Sequence, residues 1–401
     1  MSQLMGQAIL VGLSQLFVRG GLIVAFLIFA RNFDAESFAA LGYFNISLIA
    51  IVGTASLGSA SLATKYFTLS DQGEADRRNL AALLLLMGAA AMSAGIVGIL
   101  LPSDMFANLG KGPLFLVLML AVLGATAAGG LVGRQAFVSL AWNGVLTVII
   151  MLTLAWGAGR YGEFVWAAIA VVMAYGGKAL LDLLALARHL DLRRPDAQAW
   201  RQTIAAVAAM AGSSAIWALG MWGIATVVLS RLGVEAFAIY VVGIQWYAIG
   251  MFLAASLTRA LMPRQVEAAR RGEDSRLVRP AMLWAMGVAA LLAMLAWSAR
   301  PWIDLAYGSA LTGLGDILWL FIAASISVAP ANMLSNQLIA EGREVQWLWA
   351  AIGWAVMLAI GLLLALPYGL AAVVISLIAA NLAMVALARL FLRKSSAPCP
   401  A

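Results

Sequence analysis

Apolar residues run in blocks of about 20 along nearly the whole chain, broken by short clusters of charged residues, Gly and Pro. A hydrocarbon core about 30 Å thick requires about 20 apolar residues per crossing helix. Twelve blocks meet this length: 8–30, 37–64, 79–101, 113–133, 137–157 and 163–187, then 203–230, 235–262, 280–299, 315–340, 345–366 and 369–391. Lipid offers no partner to backbone N–H and C=O groups, so the crossing segments are predicted to be helices and not open strands. The longest hydrophilic stretches, Arg188 to Arg201 and Pro263 to Arg279, are too short for a catalytic domain. The first divides the blocks six and six and predicts an N-terminal bundle at 1–195 and a C-terminal bundle at 196–401. The expected fold is an all-α polytopic membrane protein of about twelve transmembrane helices in two pseudo-symmetric six-helix bundles.

Composition narrows the class. Hydrophobic residues make up 64% of the chain and charged residues 11%, against the quarter-charged mix of a soluble domain. The mean hydropathy of +0.97 agrees with lipid as the main solvent. A lone Cys399 rules out an internal disulfide, and the single His189, in a charged loop, argues against a His-based metal site or triad. Neither metal nor cofactor is expected. No basic stretch precedes the first block and no small-residue cleavage site follows it, so a retained helix is expected there and not a signal peptide.

The net charge of +7 is a topology signal and not a nucleic-acid footprint. Eighteen Lys and Arg residues fall on one side, in alternate loops or at the span ends that meet them, among them Arg77, Arg78, Arg188, Arg193, Arg270 and Arg343. Five lie on the opposite side, and Arg19 and Lys178 lie within spans. The positive-inside rule then puts both termini in the cytoplasm. The expected location is a bacterial cytoplasmic (inner) membrane.

A faint repeat links the halves. A shift of 199 residues superimposes Glu36 on Glu235, Phe38 on Phe237, Leu62 on Leu261 and Lys65 on Arg264. Duplicated transporter folds leave this kind of similarity, with the substrate site between the repeats.

Short motifs then run through the chain in order: Ala30-Arg31-Asn32-Phe33-Asp34-Ala35-Glu36-Ser37-Phe38 at the start of span 2, Leu57-Gly58-Ser59-Ala60-Ser61-Leu62-Ala63-Thr64-Lys65-Tyr66 at its close, and Leu261-Met262-Pro263-Arg264 before a basic loop. Tyr307-Gly308-Ser309 precedes span 10, and Asn336-Gln337-Leu338-Ile339-Ala340-Glu341-Gly342-Arg343 closes it. On these residues the chain resembles the oligosaccharide flippases of the multidrug/oligosaccharidyl-lipid/polysaccharide exporter superfamily, the group that includes O-antigen flippases. The resemblance implies a V-shaped pair of six-helix bundles that turns a polyprenyl-diphosphate-linked oligosaccharide from the inner to the outer leaflet by alternating access. The lipid-linked oligosaccharide, membrane lipids and polysaccharide assembly enzymes would be its partners, with no nucleic acid among them. The two extra helices usual in lipid II flippases are not found.

Several polar residues stand where lipid would exclude them. Arg19, near the centre of span 1, costs at least about 2.5–3.5 kcal/mol on insertion scales and should face a wet cavity or a partner. Gln15, with Ser14 and Gln7, extends its polar face. A guanidinium there suits a diphosphate through bidentate hydrogen bonds; burial against helix-end carbonyls or a distant carboxylate is the structural alternative. Lys178 and Asp182, four residues apart with Tyr175 on the same face, could bind substrate or carry a coupling proton, or form a self-neutralised pair. Gln245, Ser256 and Arg259 share span 8. Arg259, four residues before Pro263, reads first as an interfacial anchor. Trp217 and Trp222 could stack on sugar rings, although interfacial placement is the commoner role of Trp. Asn332, Ser335 and Asn336 form a stripe after Pro330, with Asn336 the candidate cavity residue because it lies in a matched motif. Asn143 and Asn381 are isolated amides suited to interhelical hydrogen bonds, and Gly129 with Gly133 permits close helix approach.

Three other classes compete. A drug/cation antiporter of the same superfamily would share the fold, but it calls for acids in the membrane, and the central parts of spans 1, 2, 7, 8, 10, 11 and 12 hold none. The basic residues favour an anion. A major-facilitator motif is only partly matched by Gly73-Glu74-Ala75-Asp76-Arg77-Arg78, whose Arg pair follows Asp directly. A glycan polymerase or ligase would need a large outer loop, whereas the outer loops are short and offer only Asp34, Glu36, Asp104, Glu163, Glu235, Asp304 and Asp316. A membrane scaffold would leave Arg19 without a purpose.

Overall fold

The computed structural model describes residues 2–70, 74–100, 111–162, 164–271, 278–307, 311 and 313–393. Gly73, Asp104, Glu163, Arg276, Gly308, Ser309, Lys394 and Cys399 lie outside the described residues, as do the side chains of Gln7, Ser14 and Gln15. The elements are α1 (Ser2–Asn32), α2 (Ala35–Ala55), α3 (Ser59–Leu69), α4 (Glu74–Leu100), α5 (Lys111–Gly133), α6 (Phe137–Tyr161) and α7 (Phe164–Ala187). Then follow α8 (Ala197–Arg270), α9 (Val278–Ser298), α10 (Arg300–Tyr307), α11 (Leu314–Ala340), α12 (Glu344–Ala365) and α13 (Leu370–Arg393). No strand occurs among the described residues. Ten of the stretches are long and apolar enough to cross a membrane.

With α1, a helix of 31 residues, and with α8 counted as two helices, the described residues give twelve crossings. Gly233 sits at φ 87°, ψ 176°, a conformation open essentially to glycine alone, and the chain reverses there. The packing on each arm fixes the directions. Along α2, Gly58 meets Met210 and Ser214, Gly53 meets Ala218, and Tyr43 meets Thr226, so α2 runs antiparallel to the first arm. Gly243, Gly250 and Thr258 of the second arm meet Phe321, Ser325 and Asn336 of α11 in the same order, so these two run parallel. Gly212 and Gly220 of the first arm meet Leu348 and Trp354 of α12, which leaves α11 through a short turn around Gly342. The two arms are therefore antiparallel spans 7 and 8.

In the first half α1 packs on α6, and α5 packs on α3, α4 and α7. In the second, α11 packs on α8, α9 and α13, and α12 on α13. Helices α1 and α2 of the first half lie against α8 of the second. With little gain from burying apolar groups out of lipid, close contact and polar bonds must hold such helices together. Gly129 and Gly133 of α5 supply the first: a Cβ at Gly129 would collide with the Ala60 carbonyl, and one at Gly133 would come within 2.7 Å of the Thr64 carbonyl. Thr64 Oγ1 then donates to the Gly129 carbonyl at 2.9 Å. The amides suited to interhelical bonding make such bonds, Asn381 accepting from Trp354 Nε1 at 2.9 Å and donating to Ser327 at 3.1 Å.

Two spans depart from the pattern expected of uninterrupted apolar blocks. Span 2 is broken into α2 and α3 by Leu57 and Gly58, both with positive φ, at 52° and 66°. A leucine there is strained, on the order of 1–3 kcal/mol, and at Gly58 an added Cβ would come within 2.8 Å of Met210. Span 8 does not end at Pro263 but continues as helix to Arg270. Pro263 sits inside it and removes the N–H that would otherwise bond the Arg259 carbonyl.

Candidate functional site

A cavity of about 460 Å³ lies between the halves. Its wall is built from α1 (Val18, Arg19, Leu22), α3 (Ala60, Ser61, Thr64), α5 (Gly124 to Val132), α7 (Tyr175, Lys178, Asp182), the second arm of α8 (Thr258, Arg259, Met262) and α11 (Asn332, Ser335, Asn336). The kink at Leu57 and Gly58 sets α3 off from α2 and presents its small side chains to this space. Small residues of α5 keep the wall thin, and the polar groups converge from five helices.

The charges in this wall are unequal. Lys178 Nζ contacts Asp182 Oδ2, as expected for groups one helical turn apart. Asn143 of α6 donates from Nδ2 to the other carboxylate oxygen at 2.8 Å. The Asp182 side chain is only 2% exposed and that of Lys178 12%, so the acid is enclosed and both its oxygens are occupied. Arg19 and Arg259 have no carboxylate within ion-pair distance among the described residues. The two guanidinium groups are near enough to act on one another electrostatically, and Arg259 also feels the Asp182 carboxylate. Three cations less one carboxylate leaves two positive charges on one cavity. A site of this sign attracts anions and repels cations.

Hydrogen bonds order the rest. Tyr175 donates its hydroxyl proton to Asn45 Oδ1 of α2 at 3.0 Å, and Arg19 stands beside that hydroxyl. Asn336 donates to the Thr258 carbonyl at 3.1 Å and ties α11 to the second arm of α8. At one rim Lys65 Nζ reaches Glu344 Oε1 and the Ile339 carbonyl, both at 3.0 Å, and so bridges α3 to the turn between α11 and α12. On the opposite face Arg31 donates from Nε and Nη2 to the Ala306 carbonyl at 3.0 and 2.8 Å, joining α1 to α10.

The singled-out residues therefore separate. Arg19, Lys178, Asp182, Arg259 and Asn336 come together in one cavity, with Asn332 and Ser335. Arg259 is exposed to this space rather than anchored at the lipid boundary, because the helix runs on past Pro263 and carries it inward. Trp217, Trp222 and Gln245 are not in the wall: Trp222 donates to Ser47 at 3.3 Å and tilts against Tyr43, Trp217 packs on the core, and Gln245 is buried. Gln15 shares helix α1 with Arg19, but its side chain is not described. Ser61 and Thr64, which belong to the motif closing span 2 but are not among the expected site residues, also line the cavity.

No family model matches the chain, and no curated protein matches it in sequence. Solved structures match it over almost its whole length. A mutant of VcmN, a MATE transporter of Vibrio cholerae, superposes with a TM-score of 0.72 at 16% identity, over 98% of this chain and 96% of that one. A MOP superfamily transporter of Pyrococcus furiosus, described as having a binding pocket of reverse polarity that suggests a different function, gives 0.72 at 16% identity over 97% and 95%. An outward-facing multidrug resistance MATE family transporter of the MOP superfamily gives 0.71 at 16% over 97% and 95%. The architecture is thus the polytopic, two-bundle, twelve-helix fold of the MOP superfamily. More particularly, it is the fold of the MATE transporters.

Proposed function

We propose that this chain is an alternating-access carrier of an amphiphilic anion, a polyprenyl-diphosphate-linked oligosaccharide moved from the inner to the outer leaflet for polysaccharide export. The observation that carries the reading is the pair of guanidinium groups, Arg19 and Arg259, facing one cavity with no acid paired to either among the described residues. Guanidinium forks match phosphate oxygens bidentately, and a desolvated wall strengthens the attraction. The position of the cavity between the halves suits a carrier in which rocking of the bundles exposes one site to either side. The basic loops put both termini in the cytoplasm of a bacterial inner membrane.

A drug/cation antiporter is the second reading, and the multidrug resistance named for one structural neighbour favours it. At 16% identity that likeness carries the fold alone, and the acid in the cavity, Asp182, is already held by Lys178 and Asn143. The reverse pocket polarity described for the Pyrococcus protein supports the view that pocket polarity can differ on this fold.

The test is translocation of a fluorescent polyprenyl-diphosphate oligosaccharide in proteoliposomes by the wild type, Arg19→Ala and Arg19→Lys. The wild type is expected to move the lipid, Arg19→Ala to fall at least about tenfold through loss of a charge-assisted contact, and Arg19→Lys to lie between them. A wild type inert toward that lipid but active on a small amphiphilic cation would transfer the assignment to the antiporter reading.

A further inference from the structure

We infer that the segment joining the two halves is a docking surface for anionic phospholipid headgroups in the leaflet on the basic face. Residues Arg188 to Asp196 connect α7 to α8, both of which cross the membrane, so the segment lies at the headgroup boundary. Its two acids are withdrawn by another helix: Arg77 Nη1 of α4 meets Asp191 Oδ2 at 2.7 Å, and Arg78 Nη1 meets Asp196 Oδ2 at 2.7 Å. The other oxygen of Asp196 accepts from the Ala199 N–H at 2.7 Å and caps α8. Arg188, Arg193 and Arg194, with Arg201 near the start of α8, are exposed and have no carboxylate within ion-pair distance among the described residues. The connection thus carries four positive charges with no acid left to offset them.

The apolar neighbours of these charges select the partner. On α7, Leu180 and Leu184 are exposed four residues apart, and Arg188 continues that row at the helix end. On α8, Ile204 is likewise exposed one turn beyond Arg201. Two rows of lipid-facing side chains therefore end on guanidinium groups, at the depth where the phosphates of the leaflet lie. Leu190 and Leu192, each 44% exposed, stand between the arginines. A soluble polyanion would leave both leucines in water, whereas the acyl boundary beneath the headgroups would cover them. Guanidinium forks bind phosphate oxygens bidentately while their stems lie along apolar surface. An anionic phospholipid meets both requirements, whatever the cavity carries.

The test uses the full-length Cys399→Ser protein in nanodiscs, with a fluorescent dye on Leu192→Cys, or on Ala187→Cys if the leucine is itself needed. Quenching by chain-brominated phosphatidylglycerol is compared with quenching by chain-brominated phosphatidylcholine at equal mole fraction. Phosphatidylglycerol should be preferred at least about tenfold at low salt and much less at high salt. Exchanging Arg188, Arg193 and Arg194 for Gln should weaken the preference about fivefold per charge. Arg271→Gln with Arg279→Gln, in the other long basic loop, should leave it unchanged. Arg77→Gln should release the Asp191 charge into the segment and lower the preference about fivefold, and adding Asp191→Asn should restore it. Equal quenching by the two lipids, or an undiminished preference in the triple variant, would overturn the inference. So would loss of the preference in the Arg271 and Arg279 variant, which would place the effect in the field of the whole face. Displacement of the phosphatidylglycerol by inorganic phosphate at constant ionic strength would also overturn it and assign the patch to a soluble anion.

Discussion

Asp182 shows how a residue suspected of chemistry can be accounted for by its neighbours. Its carboxylate is enclosed, bound by Lys178 from its own helix and by Asn143 from α6. Removing one member of a buried pair strands a charge, at about 3–5 kcal/mol, whereas exchanging both for apolar residues of similar size is often close to neutral. Asp182→Asn should therefore lower the thermal midpoint in detergent far more than the double variant Lys178→Met, Asp182→Leu. A double variant as unstable as the single one would show that Asn143 and the surrounding cavity depend on the acid itself. The four-residue spacing of Lys178 and Asp182 is legible in the sequence, but the third partner is not. Asn143 lies 39 residues away, and only the packing of α6 on α7 brings its amide to the carboxylate.

Among elements, α3 and α5 are joined backbone to backbone. Gly129 meets the Ala60 carbonyl so closely that any side chain collides with it, and the Thr64 hydroxyl bonds the Gly129 carbonyl. Backbone cannot yield as the end of a flexible side chain can, so overpacking here costs about 1–3 kcal/mol or more. Gly129→Ala should lower the thermal midpoint, and the loss should exceed that of Gly157→Ala, where an added Cβ meets nothing within 4 Å. Equal losses at the two sites would place the cost in the backbone and not in the contact. The spacing of Gly129 and Gly133 marks a packing face in the sequence. Its partner, the kinked half of span 2, is invisible there because Leu57 carries no signal for a positive φ. Continuation of helix past Pro263 was likewise hidden, since proline in water ends a helix while neighbouring helices in a membrane bundle support one.

At the scale of the whole molecule, the halves are tied at both ends. Lys65 bridges to Glu344 and the Ile339 carbonyl on the face carrying the basic loops, and Arg31 to the Ala306 carbonyl on the other. In the carrier proposed above, rocking of the bundles would require one tie to open while the other holds. Lys65→Ala should open the cavity on the basic face. In a Cys399→Ser background, a cysteine placed at Ser335 should then react faster with a membrane-impermeant maleimide added to that face, and Arg31→Ala should not produce the same gain. Unchanged labelling in Lys65→Ala would mean that the ion pair does not restrain the halves.

What depends on solvent and on nearest neighbours along the chain can be read from the residues themselves. Twelve apolar blocks, their helical state, the six-and-six division of blocks, the intramembrane Arg19 and the Lys178/Asp182 pairing all follow from lipid as solvent and from helix periodicity. Packing between distant helices set which polar residues share a space. It gathered Arg19, Lys178, Asp182, Arg259 and Asn336 from four helices into one cavity and left Trp217, Trp222 and Gln245 packed along α8, with Trp222 against Tyr43 and Ser47 of α2. The reason is physical: the face a helical residue presents is set by its position on the turn, but what meets that face is set by contacts between helices hundreds of residues apart. Those contacts rest on glycine gaps, a strained leucine and buried amides, which have no local periodicity to read.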